Sequence, residues 1–234
     1  MQSLDYLYFN GKSSTDFQAY ITDAGVYSSP GRNYEKVSVP GRNGDILFEQ
    51  YKHDNIEHSY PVIIVEDFDR NFDALKSFLL ASEGYAKLKD SYHPDEYYMA
   101  TFSRVEDVKT TIYQKMGSCL IVFDRKPQKF LVNGDKAVTF TSFPATIKNP
   151  TQFRAFPLIR LYGSGTLTIN GVSLVLNTSA SYVDIDCELQ EALQAGENLH
   201  ITLSNGEFPK LSKGINTINW TGSRIDITPR WYRI

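Results

Sequence analysis

Cysteine is scarce in this chain. Its two residues, Cys119 and Cys187, lie far apart, which allows one disulfide but not the bridge framework of a small secreted fold. Long apolar runs are missing too: none approaches the roughly 20 residues that a membrane-crossing helix needs. The opening residues, Met1-Gln2-Ser3-Leu4-Asp5-Tyr6, lack a basic region followed by an apolar core, so no secretory signal is read there. The expectation is a chain made in a cytoplasm, soluble and without membrane contact. Clusters of Lys or Arg are also lacking. With 24 basic against 27 acidic residues and a net charge of -3, nothing marks a surface that tracks nucleic-acid phosphates, which would be basic at least locally.

Signatures of chemistry are equally sparse. The four histidines, His53, His58, His93 and His200, contain no short metal-ligand pair. There is no G-x-S-x-G elbow, no phosphate-binding loop and no G-x-G-x-x-G; Gly163-Ser164-Gly165 is a turn between strands with no helix after it. The chain therefore reads as a non-enzyme with no cofactor and no metal.

What is present is aromatic. Aromatic residues make up 13% of the chain, led by 15 Tyr and 14 Phe, a composition that favours sheets and protein or glycan contacts. A length of 234 residues suits one large or two small domains. Leu4 to Phe9 ends at Asn10-Gly11, a strong hairpin turn, and Phe17 to Thr22 reads as a second strand. Tyr34 to Val39 is a strand stopped by Pro40-Gly41, and Arg42-Asn43-Gly44-Asp45 turns the chain into Ile46-Leu47-Phe48. These two runs predict a hairpin whose polar tip projects from the body. Ile56 to Glu66 follows, with Val62-Ile63-Ile64-Val65 apolar on both faces, as in a sheet covered on both sides. The best helix carries Phe72, Leu75 and Leu79 at i, i+3 and i+7, capped by Asp69 or Asn71 and ended by Gly84. Strands are expected at Tyr85 to Leu88 and Tyr97 to Arg104, around a turn at His93-Pro94-Asp95. Val105 to Lys115 is ambiguous. Gly117 to Phe123 is a buried strand, and Asp124-Arg125-Lys126-Pro127 should take it out of the sheet, because Pro127 has no N–H for a ladder and the charges resist burial.

That exit opens a linker from Arg125 to about Lys136 and divides the chain into domains 1–130 and 131–234. The second half shows strand after strand: Val138 to Phe143, a meander of Leu158–Tyr162, Thr166–Ile169 and Val172–Leu176, then Tyr182–Asp186, Leu199–Leu203, Ile215–Trp220 and Ile225–Thr228. This spacing predicts a β-sandwich. Cys187 to Ala195 is helical in composition but equally readable as an irregular crossing. The fold class is mainly β: an α+β N-terminal domain with one helix, then an antiparallel sandwich.

Several residues admit two readings. Asp184, Asp186 and Glu188 alternate, so a strand puts them on one face, either as ligands for a hard cation or as a solvated sheet edge that resists strand addition. Glu66, Asp67, Asp69 and Asp73 sit near a helix start and read as capping and solvation. Tyr97, Tyr98, Trp220, Trp231 and Tyr232 form either a sugar platform or ordinary packing.

Five stretches in order resemble the distal tail protein (Dit) family of long, non-contractile-tailed phages. Leu7-Tyr8-Phe9-Asn10-Gly11-Lys12-Ser13 is similar to the family's opening hairpin, and Val39-Pro40-Gly41-Arg42-Asn43-Gly44 to its V-P-G-R-x-G signature. Phe123-Asp124-Arg125-Lys126-Pro127 resembles the F-x-x-K-P that closes its first domain. Ala155-Phe156-Pro157-Leu158-Ile159 with Gly163-Ser164-Gly165 resembles the start of its sandwich, and Phe208-Pro209-Lys210-Leu211 with Gly214-Ile215-Asn216 and Trp220 its F-P-x-L-x-x-G-x-N element. The resemblance implies a hexameric ring made by the N-terminal domain and a peripheral galectin-like sandwich, in the tail tip of a virion. Such a ring joins the tail tube protein to the tail-associated hub protein, and its outer domain docks receptor-binding or baseplate proteins. Val39, Pro40, Gly41, Arg42, Asn43 and Gly44 are the expected assembly contacts. The galectin H-x-N-P-R sugar motif is missing. A carbohydrate-binding sandwich that contacts host cell-wall glycans is the alternative.

Overall fold

The computed structural model describes residues 4–25, 28–110, 115–194, 197–199, 201–204 and 206–234. Met1-Gln2-Ser3, the 111–114 end of the ambiguous stretch, Ala195 and His200 lie outside the described residues. The chain divides into two compact units, the first ending at Lys129 and the second running from Phe130 to Arg233. It is mainly β, with one α-helix among the described residues.

The first unit contains β1 (Leu7–Phe9), β2 (Lys12–Ser13), β3 (Ala19–Ile21), β4 (Arg32–Val37), β5 (Ile46–His53), β6 (Ile56–Ile64), α1 (Phe68–Leu80), β7 (Ala86–Asp90), β8 (Glu96–Thr110) and all but the last two residues of β9 (Gly117–Leu131). Asn10 and Gly11 take φ of 44° and 84°, the left-handed pair that a tight hairpin needs. One sheet runs β2-β1-β7-β8-β9-β6-β3, and α1 packs on it. Phe68, Leu75 and Leu79 share an apolar cluster with Phe9, Tyr60, Val62, Cys119, Ile121 and Phe123. Along β6 every second residue is buried, while of the alternate ones Glu57 is exposed and Ser59, Pro61 and Ile63 are only half-buried, so the second face of this sheet is less covered than the apolar run suggests.

The helix begins earlier than expected. Its N-cap is Asp67, at φ 42° and without a side-chain cap bond, and the Asn71 amide instead donates back to Glu66 O at 2.6 Å. Phe68 sets the start: it is 2% exposed and stacks on Phe72 with centroids 5.2 Å apart. Gly117 is required below it. A Cβ there would stand 2.3 Å from the Phe68 ring and 2.7 Å from Lys109 O.

The strand at Gly117 does not leave the sheet at Asp124. It pairs with β6 from Ile64 opposite Gly117 to Ile56 opposite Arg125 and continues to Leu131. Tertiary partners remove the objection to burying its charges. The Arg125 guanidinium lies 4.1 Å from the Tyr98 ring centroid, a cation–π contact, and Asp124 accepts from the Asn55 amide at 2.7 Å. Pro127 falls beyond the last β6 pair, so its missing N–H breaks no bond of that ladder. The expected linker is thus strand to Leu131, followed by a single 3-10 turn at Val132–Asp135.

The second unit contains β10 (Val138–Phe140), β11 (Ala145–Asn149), β12 (Leu158–Tyr162), β13 (Gly165–Ile169), β14 (Val172–Leu176), β15 (Val183–Asp186), β16 (Glu191–Gln194), β17 (Glu197–Asn198), β18 (Ile201–Leu203), β19 (Gly214–Trp220), β20 (Arg224–Thr228) and β21 (Tyr232–Arg233). A six-stranded sheet, β10-β20-β12-β15-β16-β17, faces a five-stranded one, β11-β19-β13-β14-β18. Ile159, Leu161, Val183, Ile185, Ile225 and Ile227 of the first meet Leu167, Ile169, Leu174, Leu176, Ile218 and Trp220 of the second in one core, as in a sandwich. The expected meander is corrected here. β12 pairs with β15 and β20, whereas β13 pairs with β14 and β19, so the Gly163–Gly165 turn carries the chain from one sheet to the other. The stretch after Cys187 includes a strand, β16, rather than a helix.

Candidate assembly site

Among the described residues, β4 and β5 pair only with each other. The register sets Tyr34 opposite Glu49, Glu35 opposite Phe48, Lys36 opposite Leu47 and Val37 opposite Ile46. Because side chains alternate, one face presents Tyr34, Lys36, Leu47 and Glu49, and the other Glu35, Val37, Ile46 and Phe48. Both faces mix charge with large apolar groups in water: Leu47 and Phe48 are each 56% exposed, and Tyr34 and Val37 are exposed as well. A lone two-stranded ribbon is marginal in water, and two free edges are templates for pairing. The base of the hairpin is tied down: the His53 ring sits 3.1 Å from Gly31 O, and the Asn33 amide donates to Asp54 at 2.8 Å. An Arg32–Glu49 pair at 3.8 Å is largely exposed and contributes little.

At the tip, the Arg42 N–H donates to Val39 O at 3.1 Å, closing a turn with Pro40 at its second position and Gly41, φ 80°, at its third. That is type II geometry, in which proline presets φ and glycine supplies the left-handed residue. A Cβ on Gly41 or Gly44 would meet nothing within 4 Å, so these glycines serve the turn and not a close approach inside the chain. Pro40, Gly41, Arg42, Asn43 and Gly44 are exposed and Val39 is half-buried. The six expected contact residues thus lie together at the turn between β4 and β5. Sequence reasoning missed Tyr34, Val37, Leu47 and Phe48 on its flanks. Their apolar character was visible, but a strand's apolar residues are ordinarily assigned to a core.

The other candidate groups fall elsewhere. Asp184 and Asp186 are neither a cation cage nor a sheet edge, since β15 has neighbours on both sides. Asp184 takes both oxygens to Arg160 at 2.6 and 2.8 Å. Asp186 takes both to Arg230 at 2.8 Å, and Glu188 lies 3.6 Å from the same guanidinium. Burial would raise the Asp186 carboxyl, but Arg230 and the backbone N–H groups of Leu189 and Glu188 outweigh it and hold it below its ordinary value. Among the described residues no three His, Cys, Asp or Glu side chains gather to hold a metal. The proposed sugar platform does not form: Tyr97, Trp220 and Trp231 are buried, Tyr98 lies under Arg125, and Tyr232 stacks on Phe153. Both cysteines are free and buried, and burial pushes their thiols up to about 11 and about 12. No described helix is long and apolar enough to cross a membrane.

The fold has known counterparts. The chain is similar to the Dit protein of phage SPP1, described as a paradigm of the hub adsorption apparatus in phages that infect Gram-positive bacteria. The TM-score is 0.67 at 14% identity, over 96% of this chain and 98% of that one. It is also similar to a chain in the baseplate of phage P2 in its activated conformation with Ca, with a TM-score of 0.54 at 8% identity, over 96% and 98%. No protein-family model matches the sequence, and no curated protein matches it. At such identities the likeness is one of fold.

Proposed function

We propose that this chain is a structural distal tail protein of a long, non-contractile-tailed phage, without enzymatic activity. Its first unit forms a hexameric ring that joins the tail tube to the tail-associated hub protein. Its sandwich faces outward toward receptor-binding or baseplate proteins. The observation that carries this reading is the end-to-end fold likeness to the SPP1 hub protein, through both units and with almost nothing left over on either chain. The ordered motifs of the sequence point the same way, and the six-on-five sandwich supports the galectin-like description of the second unit.

The hairpin is the part of the first unit suited to hold a ring together. Burying a large apolar side chain contributes about 1.5–3 kcal/mol, and Tyr34, Val37, Leu47 and Phe48 offer four such groups on one element. At the tip, Arg42 is positioned to pair bidentately with a carboxylate of a neighbouring protomer or of the tube. Arg42→Glu tests this contact. The reading predicts a folded monomer that fails to enter rings or tails. Normal tails built from the variant would reduce the tip to a solvated turn.

A further inference from the structure

We propose that Asn43 is a site of spontaneous covalent modification: in the free chain its side chain cyclises onto the backbone of Gly44 and then opens to an acidic residue. The chemistry stands apart from the ring reading, and only its consequence for assembly rests on that reading.

Asparagine is a chemically labile residue, most of all before glycine, whose nitrogen has no Cβ beside it and whose backbone turns freely. The Gly44 nitrogen gives up its proton and attacks Cγ of Asn43. The N–Cγ bond forms, the Cγ–Nδ2 bond breaks, and ammonia leaves with that proton. A succinimide ring remains. Water then adds to one of its two carbonyl carbons. Opening at Cγ gives aspartate; opening at the main-chain carbonyl gives isoaspartate. Water is the co-reactant and ammonia the by-product, and nothing is oxidised or reduced.

Among the described residues, Asn-Gly occurs at Asn10-Gly11, Asn43-Gly44, Asn133-Gly134 and Asn170-Gly171. The fold withholds the chemistry from three of them. Asn10 and Gly11 take φ of 44° and 84°, and Asn170 and Gly171 take 51° and 83°. Each pair is clamped between paired strand residues, Phe9 with Lys12 and Ile169 with Val172, in a two-residue hairpin loop whose backbone is fixed. Their side chains are held as well. The Asn10 amide donates to Ser82 Oγ at 3.2 Å. The Asn170 amide donates to Asn216 Oδ1 at 2.6 Å, and its Oδ1 accepts from the Thr217 N–H at 3.1 Å. Gly134 is buried in the Val132–Asp135 turn. Its carbonyl accepts from the Arg230 N–H at 2.8 Å, and a Cβ on it would stand 2.5 Å from Trp231 N, so a ring closing there meets the chain around Trp231.

Asn43 has none of these restraints. The β4–β5 ladder stops at Val37 opposite Ile46, and the turn bond from Arg42 N–H to Val39 O closes ahead of Asn43. Asn43 and Gly44 are exposed. Among the described residues Asn43 makes no hydrogen bond, and a Cβ on Gly44 would meet nothing within 4 Å. The ring has room to close and water has access to open it. The product carries a new carboxylate next to Arg42, and isoaspartate also lengthens the main chain of the tip by a carbon. That carboxylate competes for the guanidinium that a partner's carboxylate would otherwise take, so converted subunits drop out of assembly.

The full chain is aged in mildly alkaline buffer, folded and in parallel unfolded in urea, then digested with endoproteinase Lys-C and mapped by mass. The peptides Met1–Lys12, Val37–Lys52 and Phe130–Lys136 hold Asn10, Asn43 and Asn133 as their sole asparagines. In the folded chain Asn43 should convert about tenfold or more faster than Asn10 and Asn133, a barrier difference of about 1.4 kcal/mol or more. In urea the three should convert at similar rates, because they share the Asn-Gly sequence. Asn43→Gln should abolish the mass gain of its peptide. Asn43 as slow as the other two in the folded chain overturns the proposal. So do equal rates at all three in the folded chain, or a gain that survives Asn43→Gln. Under ring-forming conditions converted chains should collect in the unassembled fraction. Equal conversion in both fractions overturns the consequence for assembly and counts against the tip as a ring contact, while the mass map judges the chemistry by itself.

Discussion

Asn216 shows how a single side chain can stand behind a sequence motif. It is fully buried. Its oxygen accepts from the Ser212 N–H at 2.7 Å and the Asn170 amide at 2.6 Å, and its amide donates to Ser212 O at 2.9 Å and Gly214 O at 3.0 Å. It thereby ties the loop behind Phe208 and Leu211, both core residues, to the β13–β14 turn. This explains the asparagine of the F-P-x-L-x-x-G-x-N stretch physically. Asn216→Ala leaves several buried partners unpaired, each costing about 1–3 kcal/mol, partly recovered where water enters. A net loss of about 2–3 kcal/mol is expected. The two tryptophans, Trp220 and Trp231, both sit in the sandwich core, so denaturant unfolding followed by their fluorescence reads the sandwich alone. An unchanged midpoint would mean that the loop is held by something else.

At the scale of elements, the β4–β5 hairpin carries the clearest prediction. Leu47 and Phe48 point to opposite faces of the ribbon and are equally exposed. Leu47→Asp and Phe48→Asp should each leave the stability of the chain within about 0.5 kcal/mol, as for exposed positions generally. If both faces are covered in a ring, each variant alone prevents assembly. Size-exclusion and light-scattering measurements under ring-forming conditions decide this, and a variant that still assembles would show its face to be open. The same element shows what was legible beforehand. Turns at Asn10-Gly11 and Pro40-Gly41 could be read because glycine and proline act on their own backbone. The length of β9 could not, because Asp124 and Arg125 are accommodated by Asn55 of the β5–β6 connection and Tyr98 of β8, both distant in sequence. The change of sheet at Gly163–Gly165 was hidden for a similar reason: a tight turn looks the same whether the next strand pairs with its predecessor or crosses to the facing sheet. Nor could the acidic alternation at Asp184 and Asp186 be interpreted, since the arginines that pair with them lie 24 and 44 residues away.

At the scale of the whole molecule, the shift between a helix-containing half and an all-strand half was legible in the sequence, and the chain divides into two compact units after Lys129. The run of β9 through that point was not legible. Phe130 belongs with the second unit, Leu131 lies in the sandwich core, and the Leu131 N–H donates to Trp231 O at 2.8 Å. We propose that each unit folds alone when the chain is cut between Lys129 and Phe130. A cut ahead of Gly117 strips β9 from between β6 and β8 and should abolish folding of the first unit. Dispersed amide spectra from fragments 1–129 and 130–234 are the expected result, and collapse of both would refute the division. The central claim is the ring, and images of assembled tails that contain this chain test it most directly. Averaged electron micrographs should place six copies in a single ring at the distal end of the tail tube, with the hairpins in the contacts between protomers. A position outside that ring, or copies in threefold number, would contradict the account.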